Sequence, residues 1–266
     1  MTTMSLAEST GLQAMENPCQ AVVVLRAETC RRLLGAAVAT LPYVRQRCRQ
    51  GRMVIVGGST TRHVVHALLG EDPGLDSFAV GWIRHGQLGQ SDPAGRGPGP
   101  YLFQDGHVSR GWPGTLIEAF QPGDVYIKGA NALDPAGHAL VLMASPNGGS
   151  IGVAHAILMA RGGRLVVPVS LSKSIPSVPD AVAALGQQRA WRTMGTPVGA
   201  MPIMAGTATL VTEREALRLL FGVETTVVAC SGLEDCQGAL TCVLSGSASQ
   251  VAAAWDWIHD PAHQDG

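Results

Sequence analysis

From Cys30 onward, apolar side chains at Leu33, Ala37, Leu41, Val44 and Cys48 recur every three or four positions, the spacing that gives a helix one buried face. Pro42 lies inside that pattern and is expected to kink the helix, because it has no N–H to donate. Residues 53–56 are apolar without a break, as in a parallel strand buried on both faces. Gly57 and Gly58 then turn the chain into a short helix whose buried face is Val64, Val65, Leu68 and Leu69, ending at Gly70. Residues 78–83 read as a further strand. Residues 86–100 hold eight Gly or Pro in fifteen positions. They read as a long loop, either a lid over a binding site or an inert insertion.

Strand patterns follow at 124–128, 139–143 and 164–169, with a helical pattern at 152–160 before the last of them. This alternation predicts an α/β fold: a three-layer α/β/α, Rossmann-like arrangement around a mostly parallel sheet. Ligands of such sheets bind beyond the carboxyl ends of the strands. After about residue 200 the order changes. Residues 207–211 read as a strand, Thr212 and Glu215 as a capping box for a helix reaching Phe221, and 225–230 and 239–244 as strands. Val251, Trp255 and Ile258 mark one face of a last helix. The expected organisation is a flexible leader (1–18), a Rossmann-like domain (19–200), a small α+β unit like half of a ferredoxin-like fold (201–260) and a fraying tail (261–266).

The 266 residues are enough to bury a sizeable core. With 19 basic and 20 acidic residues the formal charge is -1, which leaves no basic footprint for nucleic acid or an anionic membrane. A small molecule is therefore the default partner. The longest apolar stretch, between Arg32 and Arg45, is too short to span a bilayer, and the opening residues do not read as a signal peptide. A cytoplasmic protein is expected. Six cysteines without a C-x-x-C pair read as reduced core residues. His63 and His66 have no third ligand near them in sequence, and neither a metal nor a cofactor is expected.

Three polar turns carry the candidate chemistry. Gly57, Gly58, Ser59, Thr60 and Thr61 follow the first strand; Lys128, Gly129 and Asn131 follow the strand at 124–128; Asn147, Gly148, Gly149 and Ser150 precede a helix. A glycine-rich turn into a helix leaves backbone N–H groups unpaired at its positive end, where a phosphate or carboxylate fits. Lys173, just past the strand at 164–169, falls on the same side of the sheet.

In content and order these turns resemble the superfamily of ribose-5-phosphate isomerase A, sugar-phosphate-sensing repressor domains and CoA transferases. The matching residues are Gly58, Ser59 and Thr60, then Gly129, Ala130 and Asn131, then Gly148, Gly149 and Ser150, within residues 52–173. The resemblance implies the three-layer fold and a phosphorylated sugar or similar anion held at Ser59, Thr60 and Thr61. The isomerase's second turn carries acids that move protons at the sugar, whereas here it reads Lys128, Gly129, Ala130, Asn131, Ala132. No glutamate stands in a glycine setting where a CoA transferase would form its acyl intermediate.

Two residues are candidate catalysts. Asp134 has the counterpart of an acid near this turn in related isomerases, and Lys128 is a cation of lowered pKa at the end of a buried strand. Plainer readings stand beside both: Asp134 before Pro135 suits a turn, and Lys128 suits a lysine that snorkels to the surface. The expected function is binding of a small anionic metabolite, phosphorylated or carboxylated. The alternatives are an isomerase or transferase with a changed catalytic set, and a non-catalytic sensor or oligomeric scaffold. A homodimer is compatible with each.

Overall fold

A computed structural model describes residues 19–187 and 190–264. The expected leader and the last two residues of the tail lie outside the described residues. β1 (Cys19–Leu25) leads into α1 (Ala27–Thr40) and α2 (Pro42–Arg47), and β2 (Arg52–Ile55) into α3 (Thr61–Leu69). A short α4 (Leu75–Phe78) precedes two hairpins, β3 (Gly81–Arg84) with β4 (Gln87–Gln90) and β5 (Tyr101–Gln104) with β6 (His107–Arg110). Next come α5 (Gly114–Glu118), β7 (Val125–Ile127), β8 (Ala132–Leu133), β9 (Ala139–Met143), α6 (Gly149–Arg161), β10 (Arg164–Pro168) and α7 (Val178–Leu185). The chain continues through β11 (Gly199–Ile203), β12 (Thr209–Val211), α8 (Glu213–Phe221), β13 (Glu224–Cys230), β14 (Leu240–Gly246), α9 (Ala248–His259) and α10 (Pro261–Gln264).

The fold is mixed α/β, and its main sheet has six strands in the order β12-β10-β7-β2-β5-β6. The first four of these run parallel, while β5 pairs antiparallel with β2 and β6 with β5. Period-two alternation sorts the central side chains into two cores. Met53, Ile55, Val125 and Ile127 pack with Leu33, Leu34 and Val38 of α1 and Val64 and Val65 of α3. Val54, Tyr126, Leu165 and Val167 pack with Ile117 of α5, Phe120, and Ile151 and Leu158 of α6. Both faces of the sheet are thus covered, which is why residues 53–56 carry no polar position.

Two smaller antiparallel sheets flank this one, β1-β14-β13 and β11-β9-β8. The first joins the two ends of the chain, Cys19 pairing with Gly246 and Leu25 with Leu240. Its inward residues Val23, Leu25, Leu240, Cys242 and Leu244 share the α1 core with Leu217 of α8 and Val251 and Ile258 of α9. β12, beyond residue 200, is the edge strand of the main sheet, so residues 19–200 and 201–260 do not divide along a boundary between cores. Among the described residues, no helix is long and apolar enough to cross a membrane.

Several elements differ from the sequence expectation. The helix read through Pro42 is two helices, because Leu41 leaves helical geometry at ψ 126°, as the residue before a proline tends to. Residues 78–83 do not form one strand: Phe78 ends α4 and enters the core, the chain bends, and β3 begins at Gly81. Residues 86–100 are not wholly irregular, holding β4 and a 3-10 turn at Pro93–Gly95. Gly89 sits inside β4 because a Cβ there would fall 2.2 Å from the Trp82 ring. The capping box at Thr212 and Glu215 is present as read. Residues 261–264 of the expected tail form one helical turn, held by Thr29 Oγ1, which donates to the His263 carbonyl at 3.2 Å, and by Arg32, which donates to the Ala262 carbonyl.

Candidate functional site

Beyond the carboxyl ends of β2 and β7 lies a crevice of two adjoining lobes, about 510 and 530 Å³ in volume. The first lobe is lined by Gly57, Gly58, Ser59, Thr60 and Thr61 from the turn after β2, by Lys128, Gly129 and Asn131 from the turn after β7, and by Lys173. The second is lined by Asn147, Gly148, Gly149 and Ser150 before and in the first turn of α6. Gly57 and Lys128 border both lobes. All three turns thus meet at one place, at the size usual for small-molecule sites.

The turns are held by close packing and by their own side chains. A Cβ on Gly57 would fall 1.9 Å from the Phe78 carbonyl oxygen, so only glycine lets the β2 turn pass beneath α4. Thr61, fully buried, donates from Oγ1 to the Val56 carbonyl and fixes the start of α3. The backbone N–H groups of Ser59, Thr60 and Thr61 have no hydrogen-bond partner among the described residues, the expected condition of a first helical turn. At α6, Gly148 (φ 76°) and Gly149 (φ 60°) both take left-handed conformations that glycine adopts without strain. Asn147 Oδ1 accepts from Gly149 N at 3.0 Å, and the buried Tyr126 hydroxyl donates to the Ser150 carbonyl at 2.8 Å. Asn131 is likewise a brace, its Oδ1 accepting from Leu142 N at 3.0 Å.

The electrostatics of the crevice are one-sided. Among the described residues no aspartate or glutamate lines either lobe, whereas Lys128, Lys173 and Arg84 line the first and Lys128 and Arg96 the second. Arg84 is paired with Asp76 at 2.8 Å on the outside, and Arg96 donates to the Ser91 carbonyl. Lys173 Nζ donates to the Ala130 carbonyl at 2.8 Å. The 3-10 turn that carries Lys173 is itself fixed by the fully buried Glu213, whose Oε2 accepts from Leu171 N at 2.8 Å. The Lys128 backbone N–H donates to the Val166 carbonyl at 3.0 Å, whereas its Nζ has no hydrogen-bond or ion-pair partner among the described residues. Burial lowers its pKa from 10.5 to about 8, helped by the neighbouring charge of Lys173. Burial also lowers the pKa of Lys173, with Arg31 acting in the same direction and Glu213 against it.

Asp134 is not brought into the crevice. It sits in the β8–β9 turn, accepting from His138 N at 2.9 Å and Val178 N at 2.9 Å and pairing with His138 Nδ1 at 3.0 Å. Burial would push its carboxyl up, but these bonds outweigh burial and hold it at about 2. A carboxylate so engaged ties α7 to the turn, the plainer of its two sequence readings. His63 is buried against Glu28 Oε1 at 3.0 Å, away from His66, which is exposed. Among the described residues, no group of three His, Cys, Asp or Glu is placed to hold a metal ion.

The β3–β4 hairpin is the part of the site that the sequence reading missed. Trp82, Ile83 and Leu88 line the first lobe, and Leu88 is bonded on both sides to a distant segment, from its N–H to the Met194 carbonyl and from its carbonyl to Thr196 N. The sequence reading allowed residues 86–100 as a lid, but their glycines concealed the strand β4 that pairs with β3. Compared with protein-family models, with curated proteins and with solved structures, the chain matches none.

Proposed function

We propose that the chain is a three-layer, Rossmann-like member of the sugar-phosphate isomerase and CoA transferase superfamily that binds a small phosphorylated or carboxylated metabolite in the crevice. The observation that carries this reading is the acid-free lining around Lys128, an ammonium with no counter-charge of its own. A half-buried cation without a partner has lost part of its hydration with no compensation, and an anion supplied by a ligand offsets that loss. The unpaired N–H groups after Gly58 add a helix start aimed at the same space. Moving a proton between adjacent carbons in the manner of the isomerase calls for a carboxylate within reach, and none of the described residues supplies one to the crevice. Interconversion of an aldose and a ketose phosphate is therefore not the proposed activity.

Isothermal calorimetry with inorganic phosphate, ribose 5-phosphate and uncharged ribose tests the reading. Both phosphates are expected to bind and ribose is not. Ser59→Ala is expected to weaken phosphate by about tenfold or more, the loss of one hydrogen bond to a charged group. Equal affinity for ribose and its phosphate would overturn the proposal.

A further inference from the structure

The chain's 19 basic residues are seventeen arginines and two lysines, and the two lysines are Lys128 and Lys173. Arginine serves wherever a permanently charged surface group is needed in this protein. Both lysines, by contrast, line the first lobe of the crevice. The difference between the two side chains is chemical: a guanidinium holds its proton at any ordinary pH, whereas an ammonium can shed one and become a nucleophile. Lys173 is spoken for, since its Nζ donates to the Ala130 carbonyl at 2.8 Å. Lys128 borders both lobes, has no partner of its own, and has a second cation beside it. A lysine desolvated next to another cationic group is the usual arrangement of an amine that attacks carbonyl carbon.

We propose that Lys128 Nζ forms an imine with the carbonyl carbon of an aldehyde or ketone that carries a phosphate or carboxylate group. The ammonium first gives a proton to solvent. Its lone pair then adds to the carbonyl carbon, the C–N bond forming as the C=O π bond opens to a carbinolamine. The carbinolamine hydroxyl leaves as water after taking up a proton, and a protonated C=N bond remains. The net change is one ammonium and one carbonyl compound converted to one iminium ion and one water, with no oxidant or reductant. The anionic group of the same molecule meets the N–H groups of Ser59, Thr60 and Thr61, so the inference rests on the anion-binding reading above. At pH 7 the lowered pKa makes the neutral-amine fraction of Lys128 on the order of a few hundredfold greater than that of an ordinary lysine.

The test uses glyceraldehyde 3-phosphate with the full chain, borohydride reduction, intact mass measurement and peptide mapping. One reduced adduct on Lys128 is expected, at least roughly tenfold more abundant than any on Lys173, suppressed by excess inorganic phosphate and weaker with uncharged glyceraldehyde. Lys128→Arg is expected to give no adduct, because a guanidinium holds its proton and does not attack the carbonyl carbon. Phosphate binding without an adduct on Lys128, or an adduct only on Lys173 or the terminal amine, would overturn the imine and leave anion binding standing. An adduct on Lys128 that is indifferent to phosphate and equal with glyceraldehyde would overturn the anionic substrate class instead.

Discussion

The two ends of β7 treat charge in opposite ways. At its entrance the buried Asp124 accepts from Arg52 N at 3.0 Å and Gln121 N at 2.8 Å and pairs with Arg47 at 3.3 Å and Arg52 at 3.5 Å. Four positions on, past the exit of the strand, Lys128 is half-buried at the crevice and its Nζ has no partner among the described residues. One strand of three residues thus separates a saturated charge from an unsatisfied one. A saturated buried charge holds the fold together, since removing it strands its partners. An unsatisfied one weakens the free protein and is available to something that arrives from outside.

The contrast can be broken at either end. Asp124→Ala has the largest expected effect: it leaves two arginines without their anion and two N–H groups without an acceptor, costing about 3–4 kcal/mol in urea denaturation. Lys128→Met is expected to act in the opposite direction, stabilising the free protein at pH 7 by about 1–3 kcal/mol. The folded pKa of about 8 lies below the unfolded 10.5, so the folded state binds fewer protons across that window and wild-type stability rises from pH 8 to 10.5. In Lys128→Met that rise should flatten, and a variant less stable than wild type at pH 7 would count against an uncompensated charge. The smallest effect on the fold is expected at Gly129, where an added Cβ meets nothing nearer than the Pro168 carbonyl oxygen at 3.8 Å. Gly129→Ala should change stability by under about 0.5 kcal/mol while its methyl group, inside the first lobe, weakens phosphate binding in calorimetry.

The sequence disclosed the parts of the site in which chemistry and backbone coincide. The turn after β2 was legible because an apolar run ends in Gly57 and Gly58, and the turn after β7 because Lys128 closes a strand with no polar interior. That the turns after β2 and β7 open on one side follows from parallel pairing, which the alternation of elements implied, whereas the start of α6 arrives from β9, a strand of the separate antiparallel sheet. What was illegible depends on partners distant in sequence. β1 alternates exposed Val22 and Val24 with buried Val23 and Leu25, yet its pattern gains meaning only from β14 at the other end of the chain. Residues 78–83 mislead because an apolar run does not distinguish a strand from a turn that buries Phe78 and then exposes Ile83. The placement of Asp134 away from the crevice depends on Val178, forty-four positions on, whose N–H it accepts. No local pattern carries that bond.

The zipper between β1 and β14 has a kinetic consequence. Translation produces Cys19 long before Gly246, its partner, so β1 waits for the chain between them before it can pair with β14. Contacts of such sequence separation carry the largest loop-closure cost and form late. Until then β1 has none of its ladder partners and lies beside an exposed valine face, the kind of surface on which nascent chains associate. Lengthening a surface loop between β1 and β14 should therefore slow folding and leave the crevice unchanged.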